Sequence, residues 1–221
     1  MTGEGIEATR AIVLLGDVVG SRRVPGVGTT WLRRLCTELD SGHADDRLAP
    51  FAFTQGNELQ GLLLPGADPV RGVLYVSLHE EALPMRWAIV HGPIEPGIGP
   101  ANEPTGEAYA LARHLVEAAR RQRDGLVMVT GHAPSDALLR DLSPVLAELV
   151  LGLSSRQRTV ARLVLLDGLR QAEVAERLDV SRATVSVTFG RAGIRSIERV
   201  ASAVRALFRA GVEASAAAAL A

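Results

Sequence analysis

Lysine is absent from this chain of 221 residues, so all 24 of its basic side chains are arginine. Together with the abundance of alanine, that absence reflects GC-rich coding bias and carries no mechanism. Cysteine is nearly absent as well. Cys36 stands alone, which excludes an internal disulfide framework, and its apolar neighbours Trp31, Leu32, Leu35 and Leu39 mark it as a core residue rather than a nucleophile. The start of the chain shows no basic segment leading into a short apolar one, and nowhere is there an apolar run of about 18 residues. Neither export nor membrane insertion is expected, and the chain reads as cytoplasmic with no membrane partner.

What is present is a concealed asymmetry. The net charge is only −1, yet residues 153–210 hold eleven Arg against five Asp or Glu, a local +6, while residues 1–152 hold 13 Arg against 19 acidic residues, a local −6. Affinity for the phosphates of a nucleic acid is therefore expected in the C-terminal part. With 47% hydrophobic residues the chain is long enough to build two small cores.

The most specific pattern lies inside the basic part. Between Gln171 and Ser186, Val174, Ala175 and Leu178 recur at helical spacing, Ser181 is a ready N-cap, and Val185 falls on the inner face of a second helix beginning at Arg182. Small Ala175 sits where two helices must approach closely. This is the spacing of a helix-turn-helix, whose second helix lies in the major groove of duplex DNA. Arg177, Ser181, Arg182, Ala183, Thr184, Ser186, Val187 and Arg191 are the candidate DNA-binding residues, with Arg182 placed to grip a guanine bidentately. A preceding helix capped by Ser154 or Ser155 and closed by Asp167-Gly168 completes a three-helix unit. That unit resembles region 4 of bacterial sigma factors and many response regulators. A further amphipathic helix from Ile194 to Phe208 carries a stripe of Ile197, Val200, Val204, Leu207 and Phe208, which suggests a homodimer contact.

The N-terminal part alternates strand and helix. The run Arg10 to Leu15 predicts a buried strand, Trp31 to Leu39 a helix capped by Thr29 or Thr30, and Pro50 to Leu64 a hairpin turning at Gly56-Asn57. Asp68 to Leu78 predicts a helix, Met85 to Val90 a strand, and Gly92 to Pro104 a loop. Helices over Thr105–Arg123 and Asp136–Leu151 flank a strand over Leu126–Thr130. The order β-α-β-β-α-β-α-β describes an α+β sandwich with a mainly antiparallel sheet and helices on one face. His91, at a strand end with no His or Cys partner nearby, reads as structural.

Three blocks resemble the signatures of SatD-like proteins: Gly16-Asp17-Val18-Val19-Gly20-Ser21-Arg22, Thr54-Gln55-Gly56-Asn57-Glu58-Leu59-Gln60-Gly61-Leu62-Leu63, and Thr105-Gly106-Glu107-Ala108-Tyr109-Ala110-Leu111-Ala112-Arg113. The likeness spans roughly residues 11–130 and is more distantly similar to class III nucleotidyl cyclase domains. It implies a ferredoxin-like, cyclase-like antiparallel sheet with helices, which the helical spacing of the C-terminal part extends with an all-α helix-turn-helix domain. The expected divisions are a ligand-sensing domain over 1–133, a connecting helix over 134–152, the DNA-binding domain over 153–212 and, from its low complexity, a disordered tail over 213–221.

In the cyclases two Asp hold metal ions and a helix supplies an Asn and an Arg. Here Asp17 matches the first metal ligand and Arg113 the helix Arg, but Asn57 and Tyr109 stand at the other two positions. A neutral amide lacks the anionic oxygen that hard cations prefer, so catalysis is not expected. The resemblance leaves Asp17, Gly20, Ser21, Arg22, Gly56, Asn57, Glu58 and Arg113 as residues that bind a purine nucleotide or nucleotide second messenger, through backbone N–H groups and Arg forks. No cofactor is required, although a bound nucleotide can bring one Mg²⁺ to Asp17. The expected function is a DNA-binding transcription regulator controlled by that ligand. Two alternatives stay open: an active metal-dependent cyclase or nucleotidyl transferase using Asp17 and Glu58, and a ligand-free regulator whose N-terminal domain only dimerises.

Overall fold

The computed structural model describes residues 9–19, 27–54, 58–95, 105–122 and 125–219. Strand β1 (Thr9–Val18) is its centre, because the run Ala11 to Leu15 is apolar at every position and buried on both faces. Strands β2 (Arg47–Thr54), β3 (Glu58–Leu63), β4 (Met85–Ile94) and β5 (Leu126–Val129) complete a sheet of order β2-β3-β1-β4-β5. All pairs are antiparallel except β4 with β5. β4 is longer than the sequence predicts. It pairs with β1 along its whole length, and that partner carries it through His91, Gly92 and Pro93 before the expected loop. Gly92 suits this course, since a Cβ there would lie 3.2 Å from the Ala108 side chain.

The sheet has helices on both faces, not on one. Ile12, Leu14, Trp87 and Ile89 point to the face covered by α1 (Val27–Gly42), α2 (Pro69–Ser77) and α4 (Ala133–Leu151). Ala11, Val13, Leu15, Ala88 and Val90 point to the other, where α3 (Glu107–Gln122) lays Ala108, Tyr109, Ala112 and Val116 on them. The cause is the apolar run itself, which alternates across the strand and leaves both faces needing cover. α1 starts ahead of Thr29 and Thr30, and buries Trp31, Leu35, Cys36 and Leu39 as expected. Burial raises the Cys36 thiol to about 11, which keeps it protonated and inert. α2 begins behind Asp68, whose Oδ1 accepts from the Val70 and Arg71 amides at 3.1 and 3.2 Å. α4 begins three residues before Asp136, because Pro134 is favoured in a first turn.

The C-terminal part is helical: α5 (Ser155–Leu165), α6 (Gln171–Arg177), α7 (Arg182–Arg191) and α8 (Ile194–Ala219). α8 departs from expectation in two ways. Most of its apolar stripe packs inside the chain, with Ile197, Val204 and Phe208 fully buried and Val200 and Leu207 half-buried, so the width of the stripe is largely accounted for within one chain. The segment expected as a disordered tail from 213 stays helical through Ala219. It is tied down by the sheet: Arg10 Nη2 donates to Ser215 Oγ at 2.9 Å, and Gly211 crosses so near Thr130 that a Cβ would lie 2.5 Å from its Oγ1. One apolar cluster therefore runs from Ile12 and Trp87 through Leu139, Leu146, Val204 and Phe208 into Val160, Val174 and Val185. Among the described residues no helix is long and apolar enough to cross a membrane.

Candidate functional site

Two places collect the residues that the sequence singles out. In the C-terminal place local chemistry does nearly all the positioning. Ser154 and Gln157 form a reciprocal capping box at the start of α5, with the Ser154 amide donating to Gln157 Oε1 at 2.8 Å. Gly168 takes a φ of +70° after α5, and the Glu173 carboxylate accepts from both the Arg170 amide and guanidinium at 2.7 Å. Those bonds pull the Glu173 carboxyl down to about 2.

The turn between α6 and α7 is a complete Schellman motif. The Val180 amide donates to the Ala175 carbonyl at 3.0 Å and the Asp179 amide to the Glu176 carbonyl at 3.2 Å. Asp179 holds the left-handed position with φ +51°, where glycine is usual. Ser181 then caps α7, its Oγ accepting from the Thr184 amide at 3.1 Å. Val174, Ala175 and Val185 lock the two helices together.

This geometry sorts the predicted DNA-binding residues. Arg182, Ala183, Ser186 and Val187 are exposed along α7, Arg191 is exposed at its end, and Arg177 is exposed at the end of α6. Thr184 differs. It is half-buried, and its hydroxyl sits 2.9 Å from that of Ser181 within the cap. Ser181 is exposed but serves the cap. No acidic residue lies in the first turn of α7, and the segment around it carries the local +6.

The second place is a polar corner where β1 ends. Gly16 is required there, since a Cβ would lie 2.5 Å from the Trp87 ring. Asp17, only 3% exposed, stands opposite Glu58 on β3 and Arg86 on β4. Glu58 Oε1 accepts from Gln60 Nε2 at 2.9 Å and lies 3.9 Å from Arg113 Nη2. Tyr109 O–H donates to Gln60 Oε1, and burial, assisted by the Glu58 charge, raises its phenol above the ordinary range. Tyr109 is thus a neutral donor held inside the chain. The structure brings Asp17, Glu58 and Arg113 to one corner, whereas Gly20, Ser21, Arg22, Gly56 and Asn57 lie outside the described residues. Among the described residues no group of three or more His, Cys, Asp or Glu could hold a metal ion.

His91 is buried in β4 opposite Ile12. Its Nδ1 lies 3.1 Å from the Thr130 carbonyl, to which it donates, and burial lowers its affinity for a second proton.

Sequence reasoning misses how the two places are joined. The Arg162 guanidinium of α5 lies over the Tyr75 ring of α2, 4.4 Å from its centroid, and Tyr75 O–H donates to Glu38 of α1 at 3.0 Å. Arg205 of α8 donates to Asp68 Oδ2 at 2.7 Å, on the residue that caps α2. The last two stand 137 positions apart, and no local pattern announces the pair.

Residues 145–192, from the second half of α4 through α7, match the family model described as Sigma-70, region 4. Two solved structures of a bacterial light-regulated adenylyl cyclase are similar to the chain at 14% identity and a TM-score of 0.42, covering 58% of this chain and 46% of theirs. The chain therefore spans about half the length of the structures it resembles. No curated protein matches it. The family match does not reach residues 11–130, on which the SatD-like resemblance rests. It supports a DNA-binding helix-turn-helix as the identity of the C-terminal unit.

Proposed function

We propose that this chain is a transcription regulator that reads duplex DNA with α7 and whose sheet domain responds to a purine nucleotide or nucleotide second messenger. The observation that carries the DNA-binding half is the exposed row Arg182, Ala183, Ser186 and Val187 on a helix fixed by the Schellman turn and the Ser181 cap. Arg191 and Arg177 extend that surface toward phosphates, and the local +6 supplies the salt-dependent attraction.

The ligand half rests on the corner at Asp17. Arg86 and the 62% exposed Arg113 offer positive charge beside the ends of β1 and β3, and the Glu58–Arg113 contact at 3.9 Å is loose enough to exchange for a phosphate. Gly20, Ser21, Arg22, Gly56 and Asn57 would complete the cradle. Mg²⁺ enters only as a companion of the nucleotide at Asp17. The domain division at 1–133, 134–152 and 153–212 belongs to the same proposal, as does a homodimer. Coupling would run through Asp68–Arg205 and Tyr75–Arg162, since both pairs tie helices of the sheet domain to the DNA-reading part.

The alternative reading, a metal-dependent cyclase or nucleotidyl transferase, is favoured by one observation: Asp17 and Glu58 face each other across β1 and β3. One experiment separates the two. Retention of genomic duplex fragments by the full chain is measured with and without ATP, GTP and their cyclic products, each with Mg²⁺, while product is assayed in the same tubes. The regulator reading expects sequence-selective retention altered by one nucleotide and abolished as a response, but not as binding, by Arg113→Ala. Turnover of a nucleoside triphosphate that Asp17→Ala removes would replace it with the enzyme.

A further inference from the structure

Val187 is the most exposed large apolar side chain among the described residues, 53% open, and it belongs to neither apolar cluster. The fold gains little from it. A β-branched residue is a poor choice for the middle of an exposed helix, since it loses side-chain freedom there and leaves its methyl groups in water. Ala183, one turn earlier, is exposed too, so the pair forms a short apolar row along α7. Arg182 and Ser186 form the polar row beside it. A protein surface of such composition, an apolar row in a segment of net +6, fits a polyanion that presents isolated methyl groups.

Duplex DNA is that polyanion. In the major groove thymine alone among the four bases projects a methyl group, at C5, and small apolar side chains are its natural contacts. We propose that Val187, with Ala183, reads thymine methyl groups one or two base pairs from a guanine gripped by Arg182. This inference rests on the DNA-binding reading of α7 and deepens it, since it assigns part of the specificity to packing rather than to hydrogen bonds. Its consequence is a half-site containing a guanine followed closely by thymine.

The test uses the full chain and a random duplex pool. The enriched duplex is remade with each thymine replaced singly by deoxyuridine, which removes the methyl and leaves every hydrogen-bonding group. Affinities are then compared for the wild-type chain, Val187→Ala and Val187→Thr. Wild type should weaken about fourfold at one or two neighbouring positions, the worth of one buried methyl group. Val187→Ala, which keeps the helix because alanine favours it, should show that position no longer sensitive to the replacement. Val187→Thr, of equal shape, should keep only part of the effect. If the enriched duplex tolerates deoxyuridine everywhere, the inference fails and the DNA-binding reading stands. Equal sensitivity in wild type and Val187→Ala has the same meaning. If no duplex is enriched at all, both fail together.

Discussion

The helix-turn-helix and the Asp17 corner are built on opposite plans. In the first, the positioning bonds span at most six residues: Ser154 with Gln157, Leu169 with Leu163, Arg170 with Glu173, Val180 with Ala175, Thr184 with Ser181. In the second, the side chains arrive from β1, β3, β4 and α3, and the bond that orders them joins Tyr109 to Gln60 across 49 positions. A locally built site keeps its geometry wherever its host sits. A site assembled from distant strands depends on the whole sheet, and under the proposed function that dependence would let a ligand bound there be felt elsewhere.

The largest effect expected from disturbing this contrast comes at the joint. Phe208 lies in the cluster that links the sheet to the DNA-reading helices, so Phe208→Ala should cost about 3–5 kcal/mol and lower the unfolding midpoint of both parts together. Near-ultraviolet and far-ultraviolet signals followed against urea would show it. Two separated transitions would mean that the parts stand independently.

Next is the reading face. Arg182→Ala should weaken binding to the enriched duplex by about 1–3 kcal/mol and relax selectivity at one guanine, with the thermal midpoint unchanged because Arg182 is exposed and its cap is Ser181. Anisotropy titrations against matched and mutated duplexes check both clauses.

The buried histidines all lie in the sheet part, and their pH dependence should appear in the shared unfolding transition. Burial lowers His91, His43 and His79 below the ordinary histidine value, so each stays neutral when folded while the unfolded chain takes up the proton first. The sign follows from linkage. Stability is complete above about pH 6.5 and declines as pH falls through that value toward the depressed folded values. Urea midpoints between pH 8 and 5.5 should be level and then fall, and a rise on acidification would contradict the burial of these rings as neutral groups.

The smallest effect is the most local. Asp179 pays for a left-handed φ of +51°, and Asp179→Gly should raise stability by about 0.5 kcal/mol without altering DNA affinity. Asp179→Val should do the reverse, and thermal melts of the two variants decide it.

The same contrast explains what could be read in advance. The α6–α7 turn was legible because Ser181, Val185 and Ala175 each act on neighbours a few residues away. The order of strands and helices was legible for a similar reason, since the run Ala11 to Leu15 and the stripe of α1 announce themselves by period. Placement was not. The same run leaves both faces of the sheet needing cover, yet the order of elements read from the sequence places helices on one face only, and the folded chain shows that α3 takes the second. The stripe on α8 was visible, whereas its partner was not: periodicity marks a face as apolar without saying whether it meets another molecule or, as here, α4 of the same chain. At the Asp17 corner, Asp17, Glu58 and Arg113 could be named from their resemblance, but the Gln60–Tyr109 bond between them follows from register and could not.

The claim on which the rest depends is that α7 reads bases. Sequencing the duplexes retained by the full chain from a random pool, at two salt concentrations, tests it most directly. The account predicts one enriched motif containing a guanine near thymine, retained at both salts, with overall affinity falling steeply as salt rises. Retention without any enriched motif would leave a basic surface with no reading helix and would contradict it.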